Sequence, residues 1–194
     1  EKESFRNIIH CIKQAPDGTI WVGSAFGLGK YIPEKDDFQW FSRDEGLPGY
    51  SISAIEFTDD GIWIGTGNGL SCYDGNTFKN FGTKEGLTAN GIWSLHYMKW
   101  NKTLFIGGEI SINTYKDGKI GVVDIPEIVN TSIISLNTYQ DSLLLVGTGG
   151  AGITLLNPSN GHRKFITTRD GLASDFIYFA SLDNEGYLWI GTEK

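Results

Sequence analysis

The sequence predicts an all-β fold, a β-propeller of four-stranded antiparallel blades with about 4.5 blades present, and three observations carry that prediction. A hydrophobic strand core ending in glycine recurs as Trp21-Val22-Gly23, Trp63-Ile64-Gly65, Phe105-Ile106-Gly107, Leu145-Val146-Gly147 and Trp189-Ile190-Gly191, its glycines 42, 42, 40 and 44 residues apart. A period of this length marks a propeller or array. Turn formers fall at intervals of roughly 8 to 12 residues, which suits short strands and excludes helical repeats. Finally, neither a Gly-His with Trp-Asp pair nor a double glycine recurs, so WD-type and kelch-type repeats do not fit.

Each copy opens with a first strand marked by an apolar pair three apart: Ile9 and Ile12, Ile52 and Ile55, Ile92 and Leu95, Ile133 and Leu136, Ile177 and Ala180. The turn formers Asp17-Gly18, Asp60-Gly61, Asn101-Lys102, Asp141-Ser142 and Glu185-Gly186 then predict a tight hairpin into the glycine-ended second strand. A third strand follows in Gly27-Leu28 to Tyr31, Gly69-Leu70 to Tyr73 and Gly152-Ile153 to Leu156. After a second turn come the fourth strands, Phe38 to Phe41, Phe78 to Phe81, Ile120 to Val123 and Arg163 to Ile166. Linkers Glu45-Gly46-Leu47, Glu85-Gly86-Leu87 and Asp170-Gly171-Leu172 lead onward, and the third copy substitutes Ile125-Pro126-Glu127.

These elements divide the 1–194 partial propeller into repeats at about 7–49, 50–90, 91–130, 131–175 and a truncated 176–194. Each blade buries both faces against its neighbours, so its strands read apolar nearly throughout. The large aromatics of the second strands are expected to fill the wedge between blades, with Trp63 and Trp189 both buried. The glycine after them allows close backbone approach or a bulge. Glu1 to Arg6 aligns with a linker and supplies no missing strand, so the chain reads as a fragment whose open sheet edges invite head-to-tail or edge-paired oligomers.

Composition excludes several classes. Hydrophobic residues make up 40% and aromatics 13% of the 194 residues, ample for a core. The net charge of −7, with basic residues scattered, argues against a nucleic-acid backbone or an anionic membrane as partner. No run approaches the ~18 apolar residues of a membrane helix, and no signal-peptide pattern opens the chain. Cys11 and Cys72 stand at different repeat positions and read as buried free thiols. His10, His96 and His162 are scattered over two first strands and a turn, which forms no metal cluster, and no cofactor is expected. Gly149-Gly150-Ala151-Gly152 is followed by neither Lys-Ser/Thr nor a helix, so it is no phosphate cradle.

The stretches Ile52 to Asp74 (ISAIEFTDDGIWIGTGNGLSCYD) and Asp170 to Thr192 (DGLASDFIYFASLDNEGYLWIGT) combine an acidic-Gly-Leu linker, an I-x-x-I strand, a W-I-G-T core and a G-L-x-x-Y-D close. This pattern resembles the two-component regulator propeller repeat. The resemblance implies a periplasmic, non-catalytic sensor segment whose parent is anchored in the bacterial inner membrane and carries a histidine kinase that regulates transcription. It also implies the partners: an oligosaccharide ligand of the kind sensed by gut Bacteroidetes, neighbouring propeller or sensor domains, and a homodimeric parent. A propeller lyase resembling the virginiamycin lyases and a purely structural scaffold are the competing readings.

Propeller ligands commonly meet the end formed by the linkers and the turns between second and third strands. Here that end offers Phe26, Asn68 and Glu109 from the turns and Trp93 and Tyr178 from the starts of first strands, with Tyr50, Asn90 and Asp175 beside them. Aromatics next to amides and carboxylates suit a sugar, whose C–H faces stack on rings while its hydroxyls need donors and acceptors. Glu109 stands out because it replaces a glycine-like position in the copy that departs furthest from the repeat.

Overall fold

The structure, a computed structural model, describes residues 8–194. The expected boundary at residue 7 and the alignment of Glu1 to Arg6 with a linker lie outside the described residues. Four four-stranded antiparallel sheets and one two-stranded sheet follow one another. Blade one holds β1 (Ile9–Gln14), β2 (Ile20–Ser24), β3 (Gly27–Ile32) and β4 (Asp37–Phe41). Blade two holds β5 (Ile52–Thr58), β6 (Gly61–Thr66), β7 (Gly69–Tyr73) and β8 (Phe78–Phe81). Blade three holds β9 (Ile92–Met98), β10 (Thr103–Gly108), β11 (Ile112–Lys116) and β12 (Lys119–Val123), and blade four β13 (Ile133–Tyr139), β14 (Leu143–Thr148), β15 (Ile153–Leu156) and β16 (Arg163–Ile166). The half-blade is β17 (Ile177–Leu182) paired with β18 (Leu188–Thr192). In every sheet the strands pair in chain order, and the first strands of successive blades lie side by side around a central channel.

The second-strand triplet shows why this repeat builds an arc of stacked sheets. Its alternating side chains face opposite ways: Trp21, Trp63, Phe105 and Leu145 enter the core shared with the following blade, while Ile64, Ile106 and Val146 enter the core shared with the preceding one. The glycine faces forward again and gives the next blade's first strand a seat. A Cβ built there would stand 2.7 Å from Ile52 Cγ2 at Gly23, 2.8 Å from Ile92 Cγ2 at Gly65, 2.9 Å from Ile133 Cγ2 at Gly107 and 2.8 Å from Ile177 Cγ2 at Gly147. Close approach, not turn geometry, is therefore the reason for these glycines. The residue after the glycine closes the turn: the hydroxyls of Ser24, Thr66 and Thr148 donate to the carbonyls of Gly27, Gly69 and Gly152 and accept the amides of Phe26, Asn68 and Ala151.

Linkers obey the same economy. Glu45, Glu85 and Asp170 turn back to accept the backbone amides of Ser42, Gly82 and Thr167, capping single 3-10 turns. The following glycine takes the left-handed conformation, with φ of 113° at Gly46, and the leucine plugs the junction, Leu47 and Leu87 being buried. In blade three Ile128 is the buried plug instead, and Glu127 pairs with Arg163 at 3.0 Å.

Two expectations about aromatics part company here. Trp63 is 1% exposed, stacked on Phe81 and packed against Tyr115 of the next blade. Trp189, expected to be buried, is 64% exposed and bonds only to the hairpin carboxylate of Asp183, at 2.7 Å. The cause is position: Trp189 faces forward from the half-blade, and no described strand lies beyond it. Both cysteines are free and half-buried, and burial pushes each thiol up to about 11. No helix among the described residues is long and apolar enough to cross a membrane.

Candidate ligand site at the channel mouth

Every first strand carries a β-bulge at the same place. Pairing with the second strand slips between Ile9 and Cys11, Ile52 and Ala54, Ile133 and Ser135, and Ile177 and Phe179, and the equivalent slip in blade three falls at Gly107/Gly108, opposite Ile92 and Ser94. Two residues thus oppose one, and the extra residue is unpaired and re-aimed. These extra residues are His10, Ser53, Trp93, Ile134 and Tyr178, and all five line one groove of about 480 Å³ together with Ser51, Ser132, Gly149 and Phe176. The scaffold positions around the bulge repeat from blade to blade, whereas the bulge residue differs in each.

The groove is aromatic and hydroxylated. Trp93 and Tyr178 are half exposed, and Phe176 and Tyr178 meet with ring centroids 5.0 Å apart. His10 Nδ1 lies 3.2 Å from the carbonyl oxygen of Ile52 and 3.3 Å from Ser51 Oγ, so donation to that carbonyl leaves Nε2 as an acceptor. Ser53 Oγ lies within hydrogen-bond distance of the carbonyls of both Gly65 and Ile92, which compete for its single proton, and Ser132 donates to the carbonyl of Glu109, each hydroxyl keeping lone pairs to accept with. Among the described residues no Asp, Glu, Lys or Arg lines the groove. Among the described residues no three His, Cys, Asp or Glu side chains gather to hold a metal.

Of the five residues singled out by sequence, this mouth brings together Trp93 and Tyr178. Phe26 stacks on Tyr50 at 4.8 Å and joins the first blade's turn to the approach of the second. Asn68 donates from Nδ2 to the Pro48 carbonyl at 2.9 Å. Glu109 donates its amide to the Gly91 carbonyl and lays its side chain against Gly91. His10, Ser53 and Ile134 were missed because the hydrophobic pattern of a strand does not announce a bulge. A partial signal was present nonetheless, since the residue directly after each leading isoleucine changes type in every copy, as do positions further along the strand.

A separate polar thread crosses the inner strands lower in the channel wall. Paired with Trp21, Trp63, Phe105 and Leu145 of the second strands stand Lys13, Glu56, His96 and Asn137. Lys13 Nζ donates to Glu56 Oε2 at 2.7 Å, His96 Nδ1 lies 3.9 Å from the same oxygen, and His96 Nε2 is 2.7 Å from Thr138 Oγ1. Asn137 continues it to the Ala180 carbonyl at 2.8 Å. Burial holds His96 below its ordinary range, opposed by Glu56 and reinforced by Lys13.

Sheets stacked about a channel, with bulge residues at its mouth, define a β-propeller arc carrying a candidate ligand groove. The family model of the two component regulator propeller matches residues 4–26, 46–68 and 171–194. No curated protein matches the chain significantly. Among solved structures it is similar to the extracellular domain of a Bacteroides thetaiotaomicron protein described as a one component system, with 26% identity and a TM-score of 0.83 over 95% of this chain. The chain spans 26% of that structure's length. PorZ, a surface component of the type-IX secretion system of Porphyromonas gingivalis, is 16% identical with a TM-score of 0.73, over 95% of this chain and 31% of its own. Virginiamycin B lyase from Staphylococcus aureus is 17% identical at 0.73, over 95% of this chain and 63% of its own, a likeness of fold.

Proposed function

We propose that this chain is the non-catalytic, extracytoplasmic ligand-sensing segment of a periplasmic two-component-type receptor, and that its ligand is an oligosaccharide held at the channel mouth. The observation that carries the reading is the bulge ring. Five inner strands each deliver one non-repeating side chain to a single groove, so the fold stays constant while the recognition surface varies. Trp93, Phe176 and Tyr178 offer faces on which sugar C–H bonds stack, and the hydroxyls with His10 offer acceptors for sugar hydroxyls. The family repeats and the likeness to an extracellular domain support placing the segment outside the cytoplasm, with output through a membrane-anchored, dimeric histidine kinase that regulates transcription. A lyase would require an acid and a base together, and among the described residues the groove's titratable side chains are His10 and Tyr178, with no carboxylate beside them, which favours sensing over catalysis.

Calorimetric titration of the chain with a panel of neutral and acidic oligosaccharides tests this. We expect saturable binding of a neutral glycan, lost in Trp93→Ala and Tyr178→Ala and kept in Glu109→Gln, with unchanged melting curves. A folded chain that binds nothing in the panel favours the scaffold reading and overturns this one.

A further inference from the structure

The end of the arc opposite the channel mouth carries the hairpins that join first to second and third to fourth strands, and a cavity of about 410 Å³ opens there between blades two and three. It lies inside the arc, with blade one packed behind it and blade four ahead. Its two walls differ in charge. Blade two contributes the carboxylates of Asp59 and Asp60, and blade three the ammonium groups of Lys102 and Lys116, with Asp117 adding one carboxylate to a wall that stays net positive. The polarity comes from a change within the repeat: Lys102 and Lys116 stand 42 residues after Asp60 and Asp74, at the same two hairpin positions, so both turn from acidic to basic in one step along the arc. The cavity between blades one and two is built otherwise. Among the described residues its charged side chains, Asp17 and Lys30, both come from blade one, and Lys30 lies over the Trp21 ring.

The floor is aromatic. Trp63 lies beneath, its ring centroid 4.4 Å from that of Tyr115, and Tyr97 closes one side by donating to Asp59 Oδ2 at 3.2 Å. Lys102 Nζ lies 4.0 Å from the same oxygen, a contact between two exposed side chains that holds neither firmly. Among the described residues the Asp60 carboxylate, the Lys116 ammonium and the Tyr115 hydroxyl have no hydrogen-bond or ion-pair partner, and all three line the cavity. We infer that this cavity binds a small zwitterion with an apolar side group, an amino acid or short peptide with free ends, its ammonium at Asp60, its carboxylate at Lys116 and Tyr115, and its side group on the rings of the floor. A ligand of a single charge would meet like charge on one wall, whereas a zwitterion is matched on both. The volume suits a small ligand, and an apolar lining with a few convergent polar groups fixes its orientation. This chemistry differs from that of the uncharged groove at the channel mouth, and the two sites share no lining residue.

Calorimetric titration of the chain with L-phenylalanine and with L-alanyl-L-phenylalanine tests this, alongside N-acetyl-L-phenylalanine, which lacks the ammonium, and L-phenylalanine amide, which lacks the carboxylate. Saturable binding of either zwitterion supports the site, and the tighter of the two identifies amino acid or peptide as its ligand. Each capped analogue should bind about tenfold more weakly, the loss expected of one charge-assisted contact. Asp60→Asn and Lys116→Gln alter exposed hairpin residues and should leave the melting curve unchanged while weakening the zwitterion by a similar factor. Asp60→Asn should cost the acetylated analogue nothing further, because the group it would hold is already gone. A folded chain that binds neither zwitterion, capped analogues that bind as well as the zwitterions, or variants of unchanged affinity would each overturn the site. Trp93→Ala should leave zwitterion binding intact, and its loss there would move the ligand to the channel-mouth groove and overturn the assignment as well.

Discussion

Trp63 and Trp189 are the same letter at the same repeat position, and their energetic worth differs because only one has a neighbour. Truncating Trp63 leaves a cavity between Phe81 and Tyr115. Trp63→Ala should therefore lose about 3–5 kcal/mol in urea unfolding, while Trp189→Ala should lose less than about 1 kcal/mol. Equal losses would mean that the half-blade's forward face is covered in solution. Gly65 allows a sharper test, because its backbone is unstrained and its role is space. The methyl of Gly65→Ala would meet Ile92 Cγ2 at 2.8 Å, so the variant should lose about 1–3 kcal/mol, and pairing it with Ile92→Ala should recover part of that loss in a double-mutant cycle.

At the scale of the element, linkers and inner strands are held by few polar groups, and each can be interrogated. Thr167 caps its 3-10 turn by accepting the Arg169 amide, so Thr167→Ala should cost about 1 kcal/mol by chemical denaturation. The inner-strand thread predicts a pH dependence. Burial holds the His96 pKa below its ordinary 6.5, so the unfolded chain binds this proton more readily than the folded one. Stability from neutral His96 is therefore full above about pH 6.5 and drains as pH falls below it. Lys13 opposes protonation, and Glu56, which favours it, softens the effect without reversing the direction. The melting temperature should fall between pH 7.5 and 5.5, and His96→Gln, which can still reach Thr138, should show a smaller fall. An identical fall in the variant would assign the pH response to other groups.

Across the whole molecule, the repeat does two jobs with one strand. The first-strand isoleucines lock each blade onto the glycine before it, and the bulge between them turns a third side chain into the channel. Stability and recognition are thus separated by a single residue, which lets Trp93 or Tyr178 change without disturbing Ile92 or Ile177. The arc, its blade count, the hairpins, the linkers and the wedge aromatics Trp21, Trp63 and Phe105 were legible in the residues, whereas the burial expected of Trp189 was not met. Repetition made them so: a pattern seen five times at a near-constant spacing reports local propensity and two-sided burial, and both are written in residue type. The channel groove was half legible, through the chemical character of Trp93 and Tyr178. Strict alternation gives no warning that a strand will slip one residue against its partner, so His10, Ser53 and Ile134 were visible only once pairing register was known. The sequence alone settled that these residues form blades and what each blade must bury. The packed sheets settled which side chains share a groove and which copy of a repeated tryptophan lies in water, because exposure and convergence depend on neighbours about forty residues away.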